Sequence, residues 1–262
     1  MSKLYVIGDS YAADREAHID DNYAPYESQW SVLLSEKLGA SLANHGVGGA
    51  SVEYAINRFY EKILPEIRKE DTIVFCKTFY LRKYLDKNRP SFSMLPVIES
   101  YYAAGILSKQ DYNFYVRIFL DVVRSDVESY HAFNFINALA YYRYKIGFKV
   151  VVLNCFPPTN EEEIFKMPKT IISSKGSLSH VTRYEFSDSE ISDKKVPADM
   201  MDPRRNHMNK KNHKILVDKI YSAIINNEDI DLINGFEKNL YSVEELCTNA
   251  HNRTEWNKKY TK

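Results

Sequence analysis

The run Lys3-Leu4-Tyr5-Val6-Ile7 leads directly into Gly8-Asp9-Ser10. A short apolar, β-rich segment that stops at a glycine and continues with an acid and a hydroxyl reads as a buried strand turning sharply into a helix. A serine at such a turn is exposed as a nucleophile. The unpaired N–H groups of a helix start carry partial positive charge and can stabilise an oxyanion forming beside Ser10. The same three residues also read as a capped turn, because Asp and Ser are both favoured at helix N-caps. Two further segments carry residue types that such chemistry needs. Asn44-His45-Gly46-Val47-Gly48-Gly49-Ala50-Ser51 puts three glycines where a backbone must turn tightly or approach a ligand closely. Asp202-Pro203-Arg204-Arg205-Asn206-His207 precedes Met208-Asn209-Lys210-Lys211-Asn212-His213 and an amphipathic helix over 214–225.

Ser10, the glycine-rich turn and the late Asp/His pair together resemble the SGNH (GDSL-type) hydrolase family over most of residues 3–225. Gln29-Trp30-Ser31-Val32-Leu33-Leu34 is similar to the helix that follows the family's Ser block. The resemblance implies a divergent member acting as a serine esterase on small acyl esters such as carbohydrate O-acetyl groups. Ser10 is then the nucleophile, His207 its base and Asp202 the carboxylate that orients the base. A serine hydroxyl is a poor nucleophile until a neutral imidazole takes its proton, and a carboxylate fixes that imidazole's tautomer. Backbone N–H groups of Ser10 and Gly49 are the implied oxyanion donors, with Gly46 and Gly48 serving the turn. The family's third block supplies a side-chain Asn donor, and the corresponding stretch here, 71–82, contains none. Thr78, its neighbour Lys77, or Asn154 stands as the replacement. The family's Asp normally lies three residues before the His, where this chain has Arg204, so Asp202 must reach back over Pro203. Asp199 is the alternative acid. His213 reads as a packing or capping residue, and Asn44 and Asn206 as ties between loops.

The same residues serve an acyltransferase equally well. A second class of function, a structural or binding subunit that keeps the scaffold without the activity, is favoured by the missing Asn and the shifted Asp. Retention of Ser10, Gly49, Asp202 and His207 opposes it. The richness in Tyr, Lys, Asn and Ile is similar to that of bacteriophage-encoded members, for which the subunit would belong to a phage particle.

Composition narrows the partners. The chain has 262 residues, 44% of them hydrophobic, and its 35 basic residues balance 35 acidic ones. That balance gives nucleic-acid binding no electrostatic support. Cys76, Cys155 and Cys247 lack metal-ligand spacing, so neither a metal nor another cofactor is expected, and the two in apolar runs read as buried free thiols. No apolar run approaches membrane-spanning length, and no export signal precedes the first strand. The expected setting is the cytoplasm, or the host cytoplasm or virion for a phage protein. The expected partner is a small-molecule or glycan ester, with a homo-oligomer or a larger particle as the assembly.

Positioning these residues requires alternating strands and helices. Strands are expected at 3–7, 42–43, 72–76 and 149–153, and helices at 28–38 with Gly39 as C-cap, 52–67 and 111–144. Such alternation predicts an α/β fold, an open and mainly parallel sheet with helices on both faces; the family resemblance implies that it is of the flavodoxin-like SGNH type. Ser10, Gly49, Thr78 and Asn154 then all fall at the carboxyl ends of strands, where such sheets form their sites. The domain is expected to span 1–226, with a helical insertion at 91–147 and a long loop at 157–201, followed by a C-terminal helical tail at 227–262. The aromatics of the insertion read as core or subunit contact in preference to a sugar platform.

Overall fold

The computed structural model describes residues 2–13, 29–78, 102–122, 125–156, 170–178, 181, 208 and 210–236, the side chains of 118–130 and 210 excepted. Its elements are β1 (Lys3–Gly8), α1 (Trp30–Leu38), β2 (Ser41–Asn44), α2 (Val52–Arg58), β3 (Thr72–Lys77), α3 (Lys109–Val122), α4 (Ser125–Ile146), β4 (Lys149–Asn154), β5 (Ile171–Ile172) and α5 (Lys210–Asn226). The five strands form one sheet in the order β2-β1-β3-β4-β5, and every neighbouring pair is parallel. This is an α/β fold with flavodoxin-like strand order, in which the chain reverses its direction of travel across the sheet between β1 and β3.

Strands covered on both faces read as continuous apolar runs, and Leu-Tyr-Val-Ile in β1, Ile-Val-Phe-Cys in β3 and Val-Val-Val-Leu in β4 are such runs. The period of two then divides each run between two cores. Leu4, Val6, Val74, Cys76, Val151 and Leu153 pack with Trp30 and Leu34 of α1 and with Leu216, Val217 and Ile220 of α5. Tyr5, Ile7, Ile73, Phe75, Val150 and Val152 pack on the opposite face with Val52 and Ala55 of α2 and with Ala132, Phe135 and Leu139 of α4.

Local signals account for the helix boundaries. Gly39 ends α1 in the left-handed conformation, with φ of 62°. Ser51 caps α2, its hydroxyl accepting from the Tyr54 N–H at 3.3 Å. The expected helix over 52–67 is α-helical only to Arg58 and continues as a π-helical turn, Phe59–Ile63, closed by the Leu64 N–H on the Phe59 carbonyl at 2.7 Å. That wider turn keeps Phe59 and Ile63 both fully buried. The single helix expected over 111–144 is two helices, α3 and α4. Phe135 of α4 lies edge-on to Phe59 and Phe75 with centroids 5.6 and 5.0 Å apart, as a core aromatic should. Phe114, Tyr115, Tyr141 and Tyr144 are exposed instead.

The expected loop over 157–201 contains a strand: Ile171 and Ile172 form β5 and feed one core each. The expected helical tail begins with a non-helical stretch at 228–236. There the N–H groups of Ile230 and Leu232 donate to the carbonyls of Ile172 and Lys175 at 3.0 and 2.8 Å. Residues 237–262 lie outside the described residues. Among the described residues no helix is long and apolar enough to cross a membrane.

One glycine is dictated by the sheet itself. Gly8 ends β1 at φ 144°, and a Cβ there would stand 2.5 Å from the Cys76 carbonyl oxygen of β3. Gly8→Ala combines a backbone conformation unfavourable for an L side chain with a clash against a strand that cannot retreat. The expected loss is about 3 kcal/mol or more, read from the urea midpoint.

Candidate functional site at the carboxyl edge of the sheet

Because the sheet is parallel, the residues that follow β1, β2, β3 and β4 gather along one edge. Asp9 and Ser10 follow β1, His45 and the glycine-rich loop follow β2, Thr78 follows β3 and Cys155 follows β4, with Asn154 its last residue. The reversal between β1 and β3 opens a crevice at this edge. Ser10 therefore sits where topology alone would put a ligand.

Asp9 builds the turn that carries Ser10. Its carbonyl accepts from the Ala12 and Ala13 N–H groups at 2.9 and 3.0 Å. Its carboxylate is fully buried. Oδ1 accepts from the Tyr11 N–H at 3.0 Å, closing a short loop around Ser10. Oδ2 accepts from the Thr78 hydroxyl at 2.8 Å, and the Cys155 thiol donates to Oδ1 at 3.5 Å. Burial, the neighbouring Cys76 and the Asp9 charge together push the Cys155 thiol well above its ordinary range. It therefore stays protonated and remains a donor.

The glycine-rich loop packs directly on this turn. A Cβ at Gly46 would lie 2.5 Å from the Ala12 carbonyl carbon and 2.6 Å from the Ala13 nitrogen, so close approach demands glycine there. Asn44 ties the two loops: its Nδ2 donates to the Ala12 carbonyl at 2.7 Å, and its Oδ1 accepts from the Gly46 N–H at 2.8 Å. The Val47 N–H donates to the Gly8 carbonyl at 3.1 Å. Gly49 follows in the left-handed region at φ 72°.

A third support comes from the helices. The Trp30 indole N–H donates to the Tyr11 carbonyl at 2.9 Å. The Trp30 backbone N–H, one of the open donors at the start of α1, donates to His213 Nδ1 at 3.1 Å. Gln29, the residue before, makes no side-chain capping bond, so His213 caps α1 from across the core. The reading of His213 as a packing or capping residue thus holds in both senses, since its ring is fully buried.

The expected site residues are distributed unevenly over this edge. Ser10, expected to be exposed, is instead buried at 5% exposure, because the turn that carries it is packed between the strand ends and the glycine-rich loop. Thr78 at 5% exposure and Asn154 at 4% are buried with it. The Thr78 proton lies on Asp9, so a donation to an oxyanion would compete with that bond. Asn154 uses one Nδ2 proton on the Ser173 carbonyl at 3.0 Å, while its N–H donates to the Ser173 hydroxyl at 2.7 Å. Those bonds fasten β4 to the segment after β5. Asp199, Asp202, Asn206 and His207 lie outside the described residues. Met208, next in the chain after His207, is fully buried in the same core cluster as Tyr11, Ala12, Trp30 and Cys155. Sequence reasoning passed over Asp9, Trp30 and Cys155 as site-building residues. The signal for Asp9 was an acid placed between a strand-ending glycine and the serine.

His45, at the root of the glycine-rich loop, stacks parallel to Tyr5 with ring centroids 6.4 Å apart. Burial, then the Arg58 cation and more weakly Lys62, hold its imidazole below the usual histidine value, against an opposing pull from Glu66. The neutral ring is the form the fold accepts. Unfolding raises the affinity for the proton, so the contribution is complete above the ordinary histidine value of 6.5 and is lost as pH falls below it. Urea midpoints should decline between pH 7.5 and 5.5, and His45→Gln should flatten that part of the decline.

No family model matches the chain, and no curated protein matches it. Among solved structures, one with similarity is a Desulfitobacterium hafniense protein whose given name places it in the G-D-S-L lipolytic family. It is 11% identical, with 97% of this chain and 99% of that one covered and a TM-score of 0.29.

Proposed function

We propose that the chain is a serine esterase of the SGNH type that cleaves small acyl esters, with carbohydrate O-acetyl groups as the substrate class. The observation that carries this reading is the union of the Ser10 turn and the glycine-rich loop, through Asn44, at the topological crevice of the sheet. A turn that only ended a strand would not need a second loop packed against it at glycine distance. Met208, the residue bonded to His207, is buried in the core cluster that also holds Tyr11 and Ala12, which adds support.

Ser10 Oγ attacks the ester carbonyl carbon while His207 accepts the hydroxyl proton, and Asp202 orients and stabilises the imidazolium. The tetrahedral oxyanion is met by the N–H groups of Ser10 and Gly49, with Thr78 or the second Nδ2 proton of Asn154 as side-chain candidates. Collapse expels the alcohol, which takes the proton from His207. Water, deprotonated by the same imidazole, then hydrolyses the acyl-serine to the acid and free Ser10.

A competing reading, a scaffold that keeps the fold without the activity, is favoured by the engagement of Thr78 with Asp9 and of Asn154 with Ser173. The two readings part on one measurement. A fluorophosphonate probe should label the full chain at Ser10, and Ser10→Ala should abolish labelling. A wild-type chain that resists the probe and leaves acetyl esters intact would make the scaffold the correct reading. Asp202→Asn should lower turnover about 10⁴-fold with the urea midpoint preserved; unchanged ester hydrolysis in that variant would remove Asp202 from the mechanism.

A further inference from the structure

We infer that Thr78 and Cys155 are positioning residues that fix the Ser10 turn from the sheet side, acting through the Asp9 carboxylate. The inference deepens the esterase reading and rests on it for its kinetic consequences. The geometry has three parts. Asp9 Oδ1 holds the Tyr11 N–H at 3.0 Å, which sets the backbone on either side of Ser10. That hold depends on the carboxylate's rotation about its own axis, since a carboxylate with no other donor can turn Oδ1 away from the N–H. Thr78 at 2.8 Å on Oδ2 and Cys155 at 3.5 Å on Oδ1 fix the rotation from the ends of β3 and β4. Both donors stand one residue beyond the sheet and are carried by it, because the strands before them are paired residue for residue from Thr72–Lys149 to Lys77–Asn154 and the Cys155 N–H donates to the Lys77 carbonyl at 3.0 Å. The rigid body of the protein thereby dictates where Ser10 stands.

The chemistry of the donors matches this task. Asp9 is fully buried, and a buried carboxylate oxygen left without a donor is strongly unfavourable, so each donor has a direct effect on the turn. The Cys155 thiol is held in its protonated form by its surroundings, which makes it a donor at every working pH. Neither residue needs to touch substrate to alter the rate. A misplacement of the nucleophile by a fraction of an ångström is enough to slow attack.

The test uses the full chain with fluorophosphonate labelling and steady-state hydrolysis of an activated acetyl ester. Thr78→Val removes the hydroxyl at constant volume and should slow labelling and kcat about 10- to 100-fold while KM stays within about twofold. Thr78→Ser restores the hydroxyl and should recover most of the rate. Cys155→Ala should slow labelling several-fold, and Cys155→Ser, which keeps a donor, should return it; this pair carries the test if Thr78→Val does not fold. A wild-type chain that labels, together with Thr78→Val labelling at the same rate, overturns the inference. Failure of the wild-type chain to label counts against the esterase reading instead. Amide exchange then decides on positioning: Tyr11, Ala12 and Ala13 should exchange at least about tenfold faster in Thr78→Val, with Ile73–Phe75 unchanged. Equal protection of those three amides would overturn it.

Discussion

A carboxylate sealed inside a protein must be met by donors or it destabilises the fold, and Asp9 imposes that requirement at the point where four strands end. Its solution draws on distant parts of the chain: the Tyr11 N–H two residues on, the Thr78 hydroxyl 69 residues on and the Cys155 thiol 146 residues on. The Tyr11 bond is local to the turn, but neither the hydroxyl nor the thiol meets Asp9 unless β1, β3 and β4 are parallel, adjacent and in the observed register. The close seat of Gly8 against Cys76 belongs to the same requirement, because a side chain there would push the end of β1 away from β3. The turn is thus a consequence of the sheet, and the serine inherits the sheet's rigidity.

From this edge the constraint passes outward in layers. Trp30 takes the Tyr11 carbonyl with its indole and passes its backbone N–H to His213, so α1 and α5 are fixed relative to the turn as well as to each other. Asn44 does the same for the second loop, and Ser51 converts that loop into the start of α2. The Ser10 turn is consequently held from β3 and β4 below, from α1 on one side and from the glycine-rich loop on the other. On the proposed esterase reading, preorganisation of this kind places the nucleophile without further ordering when substrate arrives.

Much of the scaffold was legible in the sequence because its signals are local. Strands buried on both faces announce themselves as unbroken apolar runs, and Gly39 and Ser51 mark helix ends by their own conformational and hydrogen-bonding preferences. What remained hidden was non-local. β5 has only two residues, Ile171 and Ile172, too few to show a period, and its existence depends on β4 having an open edge. The π-helical turn at Phe59–Ile63 answers to the Phe135 and Tyr142 rings facing it from α4, which lie more than 70 residues away in sequence. The candidate nucleophile and the glycine-rich loop were legible as motifs, and Asn44 as a residue that ties loops, though not that the loop it ties is the Ser10 turn. The partners of Thr78 and Asn154 were not, because a hydroxyl or amide at a strand end carries no local sign of which way it will donate.

That direction of donation bears on the absence of an Asn from the stretch after β3. A residue at this position faces two demands, a donor toward the crevice and a donor toward the Asp9 carboxylate, and a threonine hydroxyl has one proton to give. Here the proton goes to Asp9. The amide of an Asn has two protons and can meet both demands, but it is larger, and position 78 is already 95% buried against the turn it supports. On the proposed esterase reading, a strand-end donor committed to the turn leaves the main-chain N–H groups and the second Nδ2 proton of Asn154 to meet the oxyanion. Those N–H groups belong to the same turn and to the loop that Asn44 binds to it, so on that reading Thr78 acts through the backbone and not through its own hydroxyl.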